Sequence, residues 1–189
     1  NPQQSYRARC NSDEAPEDNP KRICTRGSQN ASNANMSMKA FALHEMPRDF
    51  GGWNTHGLTQ KMVDAYYMND GKDCPGKDKE IGRGDGSERL TGFPTAKDYR
   101  EGKYKPLGPN VSLQYANREP RFYAAVAYNG SFFDDPATTE TTHHNRQTFY
   151  YRGSGNGYNN SQFYLRTGIG CHKYYNPNDY CADYNTFKD

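Results

Sequence analysis

The sequence predicts an irregular, loop-rich α+β fold, and three observations lead to that prediction. Leu, Ile, Val and Phe together make up 21 of the 189 residues, well below the roughly 20% at which independent globular folding becomes doubtful. The formal net charge is only +2, and 16 Tyr and 9 Phe provide aromatic surface that disordered chains usually lack. Short segments with helical or alternating patterns are separated by long stretches rich in Gly, Pro and Asn. We therefore expect aromatic side chains packed beneath long loops.

The chain divides by composition near residue 44. Residues 1–44 are rich in Asn, Ser, Pro and charged residues, and the first 35 contain a single branched aliphatic residue, Ile23. Such a segment cannot offset its conformational entropy by burying its own apolar surface. We therefore treat residues 1–44 as a loop-rich segment and residues 45–189 as the part that carries the fold.

The first regular element predicted in residues 45–189 is a short helix over residues 60–67. Thr59 can cap its N-terminus. Apolar side chains recur at helical spacing along one face: Met62, Val63, Tyr66 and Tyr67. The following residues 69–110 are polar and contain several prolines, so little regular structure is expected there. A loop of that length within a compact domain is usually functional or covered by another segment.

A strand is predicted over residues 122–128, where alternate side chains share one face: Phe122, Ala124, Val126 and Tyr128. Asn129 and Gly130 then provide a turn. Two further strands are predicted over residues 147–152 and 162–166, on either side of a turn rich in Gly and Asn. These strands supply the β part of the predicted fold class.

Five cysteines are present, and none forms a C-x-x-C pair, which argues against a structural zinc site and against a thioredoxin-like motif. Disulfides are the better interpretation. The local pairs Cys10–Cys24 and Cys171–Cys181 close the shortest loops and leave Cys74 unpaired. They suit an oxidising compartment or a cell surface, although connectivity does not follow from sequence and other pairings stay open.

Charge and motif content exclude several function classes. No run of Lys or Arg is longer than a pair, so no nucleic-acid partner is expected. The adjacent His143 and His144 diverge on an extended chain and cannot both easily hold one ion, so no metal or other cofactor is predicted. The sequence contains no motif for a hydrolase nucleophile, a zinc protease or a phosphate-binding loop. We therefore expect a binding protein and not an enzyme.

Two segments resemble the SusD/RagB family. Residues 59–71, TQKMVDAYYMNDG, resemble a threonine-led helix that ends in an aromatic residue, a methionine and an Asp/Asn-Gly turn. Residues 117–123, NREPRFY, followed by Tyr128, Asn129 and Gly130, resemble the start of a strand in this family. The order of the two segments and the spacing between them agree with those of the family. The positions that carry the resemblance are Asp64, Gly71, Arg118, Pro120, Arg121, Tyr123 and Gly130.

The resemblance covers residues 45–189 and implies part of a SusD-like fold. Family members have a helical scaffold of tetratricopeptide type, which is absent from this chain. The resemblance therefore implies that the chain packs against the remainder of its own polypeptide. It also implies a surface-exposed lipoprotein of the outer membrane that passes an oligosaccharide or peptide to a SusC-like, TonB-dependent transporter barrel.

Ligand contact in this family is made by exposed aromatic and polar side chains. An aromatic ring offers a flat apolar face to the C–H face of a sugar, so loop-borne aromatics are natural candidates. For each candidate, packing beneath its own loop is the alternative. The candidates are Trp53, Tyr66, Tyr67, Phe132, Phe133, Tyr158 and Asn160.

Arg118 and Arg121 are assigned to structure, as a buried-edge ion pair or a clamp on backbone carbonyl groups. Two other function classes stay open from sequence alone. The cysteine, tyrosine and asparagine content also fits a secreted, disulfide-linked structural or adhesive protein, and a fragment of a polysaccharide-degrading enzyme is the third possibility.

Overall fold

The computed structural model describes residues 43–84, 86–134, 141–158 and 163–173. For Glu80 it describes the backbone but not the side chain. The α-helices are α1 (Gln60–Asp64), α2 (Ala96–Glu101) and α3 (Pro120–Ala125). The strands are β1 (Val126–Ala127), β2 (Phe132–Phe133), β3 (Arg146–Gln147) and β4 (Gly170–Cys171), and 3-10 turns cover Arg48–Phe50, Lys79–Ile81, Leu113–Tyr115 and Thr141–His143. This mixture of short elements and long connections confirms the predicted irregular α+β class.

Helix α1 begins where the sequence predicts but ends earlier. The Thr59 hydroxyl accepts a hydrogen bond from the Met62 backbone N–H at 3.3 Å, so the predicted cap is confirmed. The helix ends at Asp64 instead of reaching Tyr67. The reason is that the backbone of Tyr67 and Met68 leaves the helix to pair with residues 117–119.

The predicted strand over residues 122–128 is wrong for most of its length. Residues 120–125 form α3, and only Val126 and Ala127 are extended. Pro120 is the first residue of this helix. At that position its missing N–H removes no hydrogen bond within the helix, and its fixed φ favours the helical conformation. Every residue from Phe122 to Tyr128 is buried, so the alternating pattern does not mark an exposed face and a buried face.

The strands form two small antiparallel pairs. In the first, β1 pairs with β4, with Val126 opposite Cys171. In the second, β2 pairs with β3, with Phe132 opposite Gln147. The strand predicted over residues 147–152 is therefore limited to its first residue, and residues 163–166 of the last predicted strand are irregular.

Two clusters of buried side chains form the core. The first comprises Leu43, Met46, Phe50, Ala127, Phe133, Tyr150 and Leu165. The second includes Val63, Leu107 and Val111 and is dominated by aromatic rings: Tyr115, Phe122, Tyr123 and Tyr128. The ring centroids of Tyr115 and Tyr128 lie 4.9 Å apart, and those of Phe122 and Tyr128 lie 5.7 Å apart in a stacked arrangement. Aromatic packing thus replaces the missing aliphatic residues, as expected from composition.

Both predicted disulfides involve residues that the structure does not describe, so they stay predictions. Cys74 and Cys171 are free thiols among the described residues. Cys181 lies outside the described residues, as do Cys10 and Cys24 of the other predicted pair. Burial, with the nearby Glu45 carboxylate, raises the pKa of Cys171 to about 12. This thiol is therefore held in its neutral form.

Candidate functional site

The two segments that carry the family resemblance contact each other. The Asn69 N–H donates to the Asn117 carbonyl at 2.8 Å, and the Glu119 N–H donates to the Tyr67 carbonyl at 3.0 Å. Met68 lies opposite Arg118 in an antiparallel bridge between them. The polar segment between them, residues 69–117 and called the insertion below, therefore leaves and returns to the framework at one place.

The Arg118 side chain fixes this junction from inside. Its guanidinium Nη2 donates to the carbonyl oxygen of Val63, in the last turn of α1, at 2.5 Å and to that of Tyr66, just beyond the helix, at 2.8 Å. The same group lies 4.4 Å from the centre of the Phe122 ring, and the side chain is almost fully buried. This is the carbonyl clamp that the sequence suggested. It satisfies carbonyl groups that the end of a short helix leaves without partners.

Its neighbours in the motif have separate roles. Arg121 lies at the surface and pairs with Glu119 at 2.8 Å. The Tyr123 hydroxyl accepts from the Arg118 N–H at 3.1 Å and donates to the Tyr115 carbonyl at 2.8 Å. Pro120 starts α3, and Gly130 has a φ of +88° in the turn before β2. A side chain at Gly130 would also collide with Val111.

A buried ion pair anchors the first part of the insertion. The Asp64 carboxylate, at the end of α1, pairs with the Arg89 guanidinium and accepts a hydrogen bond from Gln60 at 2.9 Å. Arg89 also donates to the Gly76 carbonyl at 3.3 Å. The Cys74 thiol lies 3.8 Å from the same carboxylate. Residues 74–89 are thereby tied to α1 at both ends.

Beyond this anchor, the insertion forms one wall of a cleft of about 370 Å³. Residues of helix α2, of the turn that follows it and Phe132 of β2 all line the cleft. The lining residues are Pro94, Asp98, Tyr99, Arg100, Gly102, Tyr104, Lys105, Pro106, Leu107, Gly108 and Phe132.

The cleft is aromatic and partly open. Tyr99 has 51% of its surface exposed, while Tyr104 and Phe132 are half-buried. A side-chain carbon at Gly108 would lie only 2.6 Å from the Phe132 ring, so the glycine permits the ring to lie against the backbone there. Phe132 thus packs on the backbone at Gly108, and the lining of the cleft contains three aromatic rings.

The charged residues that line the cleft differ in how many partners they have. Asp98 is committed to the start of α2, where it accepts hydrogen bonds from the Thr95 hydroxyl at 2.7 Å and the Thr95 N–H at 3.0 Å. These bonds, with Lys103 at 3.4 Å, lower the pKa of Asp98. Arg100 and Lys105 also line the cleft, and within the described part of the chain neither forms an ion pair.

The predicted ligand-contact residues do not form one site. Phe132 lies in the cleft. Phe133 is fully buried in the first core cluster, so its assignment to ligand contact is wrong, because adjacent strand residues point to opposite faces. Tyr66 is half-buried with its ring edge-on to Phe122. Tyr67 is exposed beside the motif junction, with Lys77 5.6 Å from its ring centre.

Two of the other predicted contacts, Trp53 and Tyr158, are not in the lining of the cleft. Trp53 packs on the first core cluster, edge-on to His44, with Phe163 stacked at 6.3 Å. Tyr158 is partly exposed and has the Arg152 guanidinium 5.6 Å from its ring. Asn160 lies outside the described residues. Neither aromatic side chain is among those that line the cleft.

Sequence reasoning missed four residues of the cleft: Tyr99, Arg100, Tyr104 and Lys105. A signal was present, since Thr95 and Asp98 have the spacing of a capping box and form one in the structure. That pattern marks a helix start inside a segment that otherwise reads as loop. The helix then places Tyr99 and Arg100 at the surface.

Comparison with protein-family models gives a match over residues 14–188 to the model described as the SusD family. The chain belongs to the SusD family. The match begins before residue 45, where the sequence resemblance starts. No curated protein and no solved structure matches the chain. SusD-family proteins are typically nutrient-binding proteins of the outer membrane and not enzymes.

Two further features of this SusD-family chain concern its described residues. No group of three or more metal-ligating side chains occurs among them. None of the helices that the structure describes has both the length and the apolar character needed to cross a bilayer.

Proposed function

We propose that the chain is the ligand-binding part of a surface nutrient receptor and that the cleft between α2 and Phe132 takes an oligosaccharide. The observation that carries the proposal is the combination of three aromatic rings with hydrogen-bonding side chains around a volume of about 370 Å³. Pyranose rings stack on aromatic faces through their C–H groups, and their hydroxyls bond to the polar rim. The family membership supports the same role.

We further propose that the bound oligosaccharide passes to a TonB-dependent transporter barrel of SusC type at the cell surface. The resemblance of the two family segments supports this step. It predicts that the native full-length protein co-purifies with a barrel of that class. Isolation of the protein from its native membrane, followed by mass spectrometry of associated proteins, tests it, and a protein recovered without such a barrel contradicts it.

The cleft itself is tested by binding measurements on the full-length protein with a panel of oligosaccharides. Tyr99→Ala and Phe132→Ala each remove one ring from the cleft. Stacking of one ring is worth about 0.5–1.5 kcal/mol beyond its buried area, so each change should weaken binding about threefold to tenfold. Isothermal titration calorimetry gives the Kd values.

Tyr151→Ala is the matched control, because Tyr151 is 60% exposed and lies outside the lining of the cleft. Its affinity should equal that of the unchanged protein. An effect of Tyr151→Ala, Trp53→Ala or Tyr158→Ala without an effect of the cleft variants would move the site to the other aromatic surface. Binding of peptides in place of sugars would contradict the ligand class.

A further inference from the structure

The charges of the cleft deepen the proposed function, on which the following inference rests. Among the described residues that line the cleft, Asp98 is the one acid, and Arg100 and Lys105 are the basic residues. The Asp98 carboxylate is occupied by Thr95 and by Lys103. A neutral sugar would not need the two basic groups that remain.

The Lys105 side chain lies close to the backbone at Gly102. A side-chain carbon at Gly102 would lie 2.7 Å from Lys105 Cε and 3.3 Å from its Nζ. The lysine therefore folds back over Gly102, which has a φ of +65° at the end of α2. Both residues line the cleft.

The other nearby charges cancel. Lys97 lies on the exposed side of α2 and faces Glu101 at 3.9 Å. Lys103 is shared between Asp98 and the Tyr104 ring, whose centre lies 4.9 Å away. After these pairings, Arg100 and Lys105 are the charges that a ligand in the cleft would meet. Arginine binds a planar carboxylate through two parallel hydrogen bonds.

We propose that the cleft selects an anionic oligosaccharide, with Arg100 and Lys105 binding the carboxylate of a uronic acid unit while Tyr99, Tyr104 and Phe132 contact its ring. Arg100 and Lys105 are then specificity-determining residues, because they separate charged from neutral sugars of the same shape. The aromatic rings contribute to the affinity for charged and for neutral sugars alike.

The test compares oligogalacturonate with its methyl ester on the full-length protein, since the ester keeps the skeleton and removes the charge. We expect the free acid to bind at least about tenfold more tightly than the ester at low salt. That preference should decrease as sodium chloride is raised, because partly exposed charges are screened. A sulfated oligosaccharide distinguishes a requirement for carboxylate from a requirement for any oxyanion.

Arg100→Gln and Lys105→Gln should each weaken binding of the acid more than binding of the ester, so that the preference for the acid falls. Lys97→Gln is the matched control, because it removes the same charge from α2 outside the cleft, and its preference should stay the same. Circular dichroism and thermal unfolding of each variant verify that the fold is retained.

The outcomes separate the two proposals. If acid and ester bind equally and both depend on Tyr99 and Phe132, the charge selection is wrong and the oligosaccharide cleft stands. If Lys97→Gln reduces the preference as much as Arg100→Gln, general surface charge is responsible and the selection by the cleft is wrong. If neither sugar binds and neutral oligosaccharides also fail, both proposals are wrong.

Discussion

Arg118 connects helix α1, the motif junction and the aromatic core through one side chain. Its guanidinium donates to two backbone carbonyls and lies on the face of Phe122. Removing it leaves buried carbonyl oxygens without donors and opens a gap against the ring. Buried polar groups without partners are costly because water cannot replace the lost hydrogen bonds.

We therefore expect Arg118→Ala to reduce the free energy of unfolding of the full-length protein by about 3 kcal/mol. Arg118→Lys keeps the charge but loses the planar fork, so it should recover only part of that loss. Urea unfolding followed by tryptophan fluorescence measures both. Arg121→Ala is the control in the same motif, because its side chain is 57% exposed and its ion pair lies at the surface.

A change below about 0.5 kcal/mol is expected for Arg121→Ala. Equal effects of Arg118→Ala and Arg121→Ala would contradict the assignment of the clamp to Arg118. It would place the stabilising contact at the surface instead.

At the scale of elements, the Asp64–Arg89 pair decides whether the insertion stays attached to α1. The Asp64 side chain is 1% exposed. With Arg89 removed, the carboxylate loses its ion pair and keeps the hydrogen bond from Gln60, the Cys74 thiol and the more distant charge of Arg118. A buried charge without its counter-ion destabilises a fold by about 3–5 kcal/mol when one partner is removed.

Arg89→Ala should therefore release residues 74–89 from α1 and expose Lys77 and Lys79 to trypsin. We expect the insertion to be cleaved at least about tenfold faster than in the unchanged protein. Lys72→Ala is the control, because both side chains of the Lys72–Asp70 ion pair are exposed to solvent. Unchanged cleavage in Arg89→Ala would show that other contacts hold the insertion.

The elements also show what the sequence predicts well and what it does not. The Thr59 cap, the Asn129-Gly130 turn and the role of Arg118 follow from local chemistry that acts over a few residues. Residues 122–128 were predicted as a strand because burial on all sides hides the period that separates helix from strand. The proline at position 120 was the stronger local signal.

The cleft could be predicted only in part, because the residues that line it are widely separated in the sequence. Phe132 and Tyr99 are far apart in sequence, and no pattern within either segment indicates that the fold brings both to one cleft. Phe132 and Phe133 were equivalent in sequence, and the pairing of β2 with β3 decides which ring enters the core. The capping box of Thr95 and Asp98 was readable, but its consequence for the cleft was not.

At the scale of the whole molecule, buried ionisable groups set the response to alkaline pH. Burial raises the pKa of Tyr115 to about 12 and, with Glu45, raises that of Cys171 to about 12. The pKa of Tyr150 is also raised by its complete burial. In the unfolded chain these groups ionise nearer their ordinary values of 9.0 for the thiol and 10.0 for the phenols.

The sign follows from proton binding. Above pH 9 the unfolded chain releases protons that the folded chain keeps, so the free energy of unfolding falls as pH rises toward about 12. Cys171→Ala and Tyr115→Phe each remove one such group and should make that decrease shallower. Urea unfolding at several pH values measures the slope.

Leu165→Ala serves as the control, because it weakens the core without removing an ionisable group. It should lower stability by a similar amount at every pH. An unchanged alkaline slope in both Cys171→Ala and Tyr115→Phe would contradict the role of burial.

The contact between Asn69 and Asn117 has a consequence for how this protein can diversify. Because the excursion between these two residues starts and finishes at one hydrogen-bonded point, doubling its length costs only about 0.6 kcal/mol in closure entropy. The residues between Asn69 and Asn117 can therefore change in length and charge while the same pair of residues, the base, joins them to the framework. The clamp at Arg118 keeps the base constant, so α2 and its flanking residues can vary in length and charge while Phe132 of β2 remains the fixed part of the cleft.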